Sequence, residues 1–483
     1  MASTTLPAEA RPGIVAPALP FLVAAALYVV LLAAGDGLLH DADTYWHIAS
    51  GRWILANGFP HADPFSFTFF AKPWIAKEWL SQIVFAEAYA VAGWTAVVVV
   101  SAAAMAFAFG VLTRALREYL APLPALALVA VAFMLAAPHA TARPHLLALP
   151  VMVAWAAALL RAADRHRAPS YSVALLMVLW ANLHAGFTFG ILLVAAFGLD
   201  AVASAERPER YRLALAWLRF GLLTLIAGCF TPYGPQSMLV TLKVLGLGPA
   251  LSIIGEWKPA NFAAFGPLEL ALLGGLGLAL WRGFTLPPVR VLILLGVLHM
   301  ALSADRNAEI LGLVAPLVIA VPLARQFATL RADSAPAASA IGAAFAALVV
   351  PATAAFATFA SYQPPATNTP VAAVAAVKAA DGDPVLNDYD FGGYLIFSGV
   401  PTFIDGRTEL YGGDFTAQYY RAVTLADLDG FVKMLDANRI KTTLLTAGTP
   451  ANALLDRLPG WQRLYADDVA VVHIRTPLRP TLP

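Results

Sequence analysis

Apolar segments about as long as a lipid bilayer is thick recur along this chain, and that recurrence constrains its fold more than any motif does. A hydrocarbon core of about 30 Å takes about 20 apolar residues per helix. Segments of this kind run over 14–35, 93–113, 121–137, 145–162, 171–186, 188–205, 213–230, 266–281, 289–302, 306–324 and 337–360. They predict about eleven membrane-spanning helices. Only 13% of the 483 residues are charged, mean hydropathy is +0.71, and a soluble domain carries about 25% charged residues. The chain is therefore not mainly water-soluble. Its net charge of +1 offers no basis for nucleic-acid binding. The single cysteine, Cys229, sits in an apolar run and reads as a small core hydrophobe. Arg11 precedes the first apolar stretch without a small-residue cleavage site after it. That stretch reads as a retained helix rather than a signal peptide.

Cytoplasmic loops of membrane proteins are enriched in Lys and Arg. Alternate loops here carry Arg114 and Arg117, then Arg161, Arg165 and Arg167, then Arg207, Arg210 and Arg212, then Arg282 and Arg290, then Arg325 and Arg331. This pattern places the N-terminus in the cytoplasm and, with an odd number of spans, the C-terminal region outside. The opposite face collects the chemistry. Its first loop, 36–92, holds His40-Asp41-Ala42-Asp43-Thr44-Tyr45-Trp46-His47. Later loops hold Pro138 to His145 with His139 and Arg143, Trp180 to Gly186 with Asn182 and His184, Thr231-Pro232-Tyr233-Gly234, Gly255-Glu256-Trp257-Lys258-Pro259, and Asp305 to Glu309 with Arg306. Six of the nine histidines fall on this face: His40, His47, His61, His139, His145 and His184. Polar groups near spans are costly, and clusters of them line a cavity or bind something.

Each motif has a functional and a structural reading. Asp41 and Asp43 suit a catalytic carboxylate that takes an acceptor's proton or orients a metal or donor. They also suit caps of a helix starting near Thr44. His47, four residues after Asp43, shares its helix face and fits a proton relay, a ligand or a partner for the aspartate. Asp plus His is too small a set to define a divalent metal site. Arg143, flanked by His139 and His145, offers a fork for a phosphate or for lipid headgroups. Arg306 has the same two readings. Lys258 is a third cation or one half of a surface pair with Glu256. Asn182 and His184 suit hydrogen bonds to a sugar or phosphate, or bonds between spans. Tyr233, Glu256 and Trp257 are further substrate-binding candidates. Trp46, Trp53, Trp74, Trp79 and Trp94 suit an interfacial aromatic belt.

A turn-rich stretch at 363–370 follows the span region 1–362. Residues 371–483 have mixed composition and read as a small soluble α/β domain. Strands are expected at Pro384–Asn387, Thr402–Asp405, Thr442–Thr446 and Val469–Ile474, and helices at Leu425–Ala437 and Asn452–Leu458. Within it, Asn387 to Tyr394 with Gly392-Gly393, and Asp405-Gly406-Arg407-Thr408-Glu409, match no dinucleotide or P-loop pattern. Either touches an acceptor or serves the fold.

Together these residues resemble the GT-C superfamily of integral-membrane glycosyltransferases. More narrowly they resemble bacterial multi-pass members with a D-x-D-x-Y-W-H run, W-x-N-x-H, N/T-P-x-G and E-W-x-P segments and a C-terminal G-G-Y-L…D-G-R block. The resemblance implies a polytopic α-helical membrane protein, a polyprenyl-phosphate or -diphosphate sugar donor and transfer on the outer face of the bacterial inner membrane. It also implies a catalytic carboxylate in the first outer loop, carried here, as the base, by Asp43 or Asp41. The W-W-D signature of oligosaccharyltransferases is missing, which argues against peptide N-glycosylation and leaves a glycan, lipid or protein as acceptor. A transporter of lipid-linked glycans would keep its polar groups at mid-membrane depth in broken helices. A scaffold with an outer sensory domain would have no deep cavity at the membrane face.

Overall fold

The structure is a computed structural model that describes residues 15–245, 257–327 and 338–476. Arg11, Glu256 and Arg331 lie outside the described residues. In chain order the first part holds α1 (Val15–Ala33), α2 (Asp43–Asn57), α3 (Trp79–Arg117), α4 (Pro122–Ala136), α5 (Pro144–Asp164), α6 (Ala174–Leu183) and α7 (Phe187–Ser204). It continues with α8 (Arg207–Gly228), α9 (Gln236–Leu245), α10 (Pro267–Arg282), α11 (Pro288–Ser303), α12 (Ala308–Gln326) and α13 (Ala338–Phe359). Every expected apolar segment holds one of these helices. Among the described residues six helices, α3, α4, α5, α7, α8 and α12, are long and apolar enough to cross a membrane when the 3-10 turns extending α4 and α12 are included. Shorter apolar helices join them in α1, α6, α11 and α13. Long α3 is two helices merged across a kink at Ala92 and Gly93, so its apolar part begins where the sequence pattern places it. Helices α8 and α10 leave Leu218, Leu222, Ile226, Leu276 and Leu280 exposed, a surface suited to lipid chains rather than water.

The two ends of the helix bundle differ chemically. At one end Arg161, near the end of α5, pairs with Glu118 after α3 at 2.5 Å. There too Arg290 of α11 is buried between Asp164 of α5 and Asp200 of α7, with the Asp200 bond at 3.0 Å. At the other end meet the starts of α2, α3, α5, α7 and α12 and the ends of α6 and α11, and here most of the polar motifs singled out in the sequence gather. The arginine-rich ends and the motif-rich ends are thus opposite ends of the same helices.

The C-terminal part contains α14 (Val371–Ala379), β1 (Val385–Asn387), α15 (Gly392–Phe397), α16 (Thr408–Tyr411), α17 (Gly413–Val423), α18 (Leu428–Ala437), β2 (Thr442–Thr446), α19 (Pro450–Leu455), β3 (Trp461–Ala466) and β4 (Ala470–Arg475). Its sheet runs β1-β2-β4-β3, with β1 parallel to β2 and the remaining pairs antiparallel. Residues 402–405, expected as a strand, are not one. Their backbone groups are taken by the Asn387 side chain, which accepts from Phe403 N–H at 2.7 Å and donates to the Ile404 carbonyl at 2.7 Å. The loop at 66–68 takes others: Phe67 N–H and the Thr68 hydroxyl donate to the carbonyls of Thr402 and Phe403. Strand β3 escapes the sequence pattern because it is mostly exposed and lacks an apolar alternation.

One apolar core joins this part to the first loop. Trp46, Ile54, Trp74 and Ile75 pack with Ile396, Phe403, Ile404, Leu410, Tyr411 and Tyr419. Trp46 and Trp74 are therefore core residues, not a belt at a lipid interface. The 363–370 stretch is tied down as well. Gln363 N–H donates to Asp36 at 3.0 Å, Asn368 donates to the His40 carbonyl, and Thr369 shares a 2.8 Å bond with Tyr45.

Candidate active site

The site grows from the first turn of α2. Asp43 opens this helix, and Asp41 accepts the Asp43 N–H at 2.9 Å, which satisfies one of the helix's unpartnered donors. Arg143 stands just before Pro144, the first residue of α5. Its fork reaches Asp41 Oδ2 at 3.2 Å and Asp43 Oδ2 at 2.9 Å. Thr44 donates to the Ala142 carbonyl at 3.0 Å, and Ala142 N–H donates to the Leu38 carbonyl at 2.7 Å. These bonds hold two segments about a hundred residues apart in one rigid corner. His47 lies beneath them, buried, with its ring against Trp46 and its Nδ1 3.4 Å from Gln82 Nε2. Burial, then the nearby Arg143 and Lys77, push His47 well below the usual imidazole range, so it is neutral at neutral pH.

Above this corner lies a cavity of about 590 Å³. Asp41, Asp43, Glu78, Glu309, Asp390 and Glu409 line it together with Lys77, Arg143 and Arg306. Lys77 Nζ binds Glu409 Oε1 at 2.5 Å, joining the end of the first loop to the C-terminal part. The adjacent Glu78 faces the other way, its Oε1 3.4 Å from His184 Nε2. His145 approaches Glu309 at 3.9 Å and donates through Nε2 to the His139 carbonyl at 3.1 Å. The Arg306 guanidinium lies 4.9 Å from the centre of the Trp257 ring. On the C-terminal wall, burial and the carboxylates of Asp388 and Asp41 raise Asp390 to about 6.

Two glycines let the C-terminal part close on α2. A Cβ on Gly406 would overlap the Asp43 carboxylate, and one on Gly393 would overlap the Ala42 carbonyl. Behind Gly406 the turn is locked. Arg407, fully buried, binds Asp63 at 2.5 Å and Asp405 at 2.7 Å. Tyr411 also donates to Asp405, at 2.6 Å.

Of the candidates read from the sequence, Asp41, Asp43, Arg143, Arg306, His47, His145, His184 and Trp257 line the cavity. Asn182, Tyr233, His139 and Lys258 are not among its lining residues. Asn182 links helices instead: its Oδ1 accepts from the Trp79 indole at 2.7 Å, and its Nδ2 donates to the carbonyls of Val178 and Phe230. The Asn182→Ala variant is expected to lose about 1–3 kcal/mol of stability, because it leaves buried groups without partners. Thermal unfolding of the purified protein checks this. The Tyr233 hydroxyl accepts from Ala76 N–H at 3.2 Å, and the Lys258 carbonyl accepts from Asp305 N–H at 2.9 Å while its side chain is exposed.

Sequence reasoning passed over Lys77 and Glu78, and it left Asp390 and Gly406 within segments that either touch an acceptor or serve the fold. Lys77-Glu78 had a usable signal: two opposite charges together at the end of the outer loop, directly before an apolar helix. Among the described residues no group of three or more His, Cys, Asp or Glu side chains is placed to hold a metal ion. Asp41 and Asp43, the obvious first donors, are turned to Arg143, so the residues present do not fit a divalent ion.

No protein-family model matches the chain, and no curated protein matches it. Among solved structures, the crystal structure of ArnT from Cupriavidus metallidurans bound to undecaprenyl phosphate matches with a TM-score of 0.48 and 15% sequence identity, over 94% of this chain and 97% of that one.

Proposed function

We propose that this protein is a GT-C-type glycosyltransferase that moves a sugar from a polyprenyl-phosphate or -diphosphate donor to an extracytoplasmic glycan, lipid or protein. In this reading it spans the bacterial inner membrane about eleven times, with a cytoplasmic N-terminus and with residues 371–483 outside. The observation that carries it is the cavity at the motif-rich helix ends, where carboxylates and cations from the starts of four helices, α2, α3, α5 and α12, and from the C-terminal part line one space. A scaffold has no use for such a cavity. A carrier would place these groups in broken helices at mid-membrane depth, whereas here they sit at helix ends.

Glycosyl transfer passes through a state with positive charge on the sugar ring and negative charge on the departing phosphate. Asp43, 2.9 Å from the Arg143 fork, suits the ring charge. Arg306 and Lys77 suit the phosphate as fixed positive charges. Arg143 is bound to both aspartates and holds them in position. His47, His145, His184 and Trp257 complete the sugar-facing wall.

In cells lacking the gene, mass spectrometry of envelope glycans and polyprenyl-linked sugars is expected to show one glycan short of a sugar and its lipid-linked donor accumulated. Wild type restores both. Asp43→Asn at equal protein level lowers transfer about 10²- to 10³-fold, the usual cost of removing one group that stabilises transition-state charge. Full restoration by Asp43→Asn would refute this role of the carboxylate.

A further inference from the structure

The cavity's carboxylates are not equivalent. Asp41 and Asp43 share Arg143, and Glu409 holds Lys77. A carboxylate that holds a cation has its oxygens engaged and is less open to an incoming hydroxyl. Glu78 is placed differently. It is the residue before α3, its side chain is 10% exposed, and its carboxylate faces an imidazole. The tautomer of that imidazole follows from its other contact. Gly186 N–H donates to His184 Nδ1 at 3.1 Å, so Nδ1 carries no proton and Nε2 does. The protonated Nε2 lies 3.4 Å from Glu78 Oε1, so the group closest to that carboxylate across the cavity is a neutral imidazole.

We propose that Glu78, oriented by His184, is the base that accepts the proton of the incoming acceptor hydroxyl. The inference rests on the transferase reading and divides the work: Asp43 steadies the sugar, Glu78 takes the proton. The acceptor O–H bond breaks and its proton goes to Glu78. The acceptor oxygen bonds the anomeric carbon, and the bond from that carbon to the phosphate oxygen breaks with its electron pair leaving on the polyprenyl phosphate. Water in the cavity then takes the proton from Glu78. His184 touches no reacting atom in this step and is a positioning residue.

The surroundings agree with the task. Burial raises Glu78 above the ordinary glutamate range, opposed by the positive charges of Lys77, Arg143 and Arg306 and reinforced by Glu409. A base raised toward neutrality is better matched to a hydroxyl proton than an ordinary carboxylate is.

The test uses washed membranes of cells expressing the full chain, with their own lipid-linked sugars as donor, followed by mass spectrometry from acid to alkaline pH. Wild-type transfer is expected to fall on the acid side, through a pKa above that of ordinary glutamate. Glu78→Gln lowers transfer about 10²- to 10⁴-fold and removes the acid limb, while Glu78→Asp retains the limb at a reduced rate. His184→Ala keeps the carboxylate but removes its donor, so the acid limb moves to higher pH. If Glu78→Gln does not accumulate as folded protein, the His184→Ala shift decides. Wild-type rates for Glu78→Gln, an unmoved limb in His184→Ala, or loss of the limb in Asp390→Asn alone would each overturn the assignment. If deletion of the gene changes no lipid-linked sugar, the transferase reading itself fails and takes this inference with it.

Discussion

Arg407→Met is expected to destabilise the folded protein by about 3–5 kcal/mol, the cost of breaking a buried ion pair from one side. The guanidinium is fully buried and bound through Nη1 to Asp63 and through Nε and Nη2 to the two oxygens of Asp405. Its plane lies 5.2 Å from the Phe65 ring centre and 4.9 Å from that of Trp74. Methionine refills much of the hydrocarbon volume but leaves two buried carboxylates without a counter-charge. Lysine retains the charge yet cannot bridge both partners with a planar fork, so Arg407→Lys recovers only part of the loss. Unfolding of the detergent-purified protein, followed by tryptophan fluorescence, gives the comparison. Adding Asp63→Asn to Arg407→Met should cost less than the two single losses summed, since it removes one of the stranded charges. An Arg407→Met midpoint equal to wild type would show that the triad contributes nothing net.

Gly406→Ala is the corresponding expectation for activity. The new Cβ would overlap the Asp43 carboxylate, and Asp43 cannot retreat without breaking its 2.9 Å bond to Arg143. On the transferase reading proposed above, a displacement of about 1 Å at a reacting centre costs about a hundredfold in rate, so transfer should fall by that order while the protein still accumulates. The contact itself is tested separately. If the collision is with the carboxylate, the loss in thermal stability from Gly406→Ala largely disappears in an Asp43→Ala background. Equal losses in both backgrounds would place the strain elsewhere.

What the sequence shows about this molecule follows the range over which each signal acts. Apolar length and the alternation of arginine-rich loops are local and repeated, so every expected apolar segment is found as a helix. The Asp41–His47 run is compact and chemically dense, and it does line the cavity. Arg143, about a hundred residues further on, was recognisable as a cation but not as the partner of both aspartates. Asp63 and Arg407 are separated by 344 positions. Nothing in the periodicity around either one announces a pairing across that distance. The 402–405 stretch has the composition of a strand, but its hydrogen bonds are taken by Asn387 and the first loop. Asn182 and Tyr233 illustrate the opposite problem. Polar residues at helix ends look alike in sequence whether they face a cavity or tie two helices together, and only their partners distinguish them.

The union of Asp63 with Arg407 also sets an order of events in biosynthesis. The first loop leaves the ribosome with a carboxylate whose partner arrives only after most of the chain has been made. Until then Asp63 is best left in water, and the Trp46 and Trp74 surface lacks its partners Ile396, Phe403, Ile404, Leu410, Tyr411 and Tyr419. The cavity wall contributed by Gly406, Thr408 and Glu409 does not yet exist. Premature termination, or a stall before residue 407, therefore leaves a membrane-inserted bundle that cannot close its site and that presents an open apolar face to folding surveillance. The site cannot close until synthesis has passed residue 409.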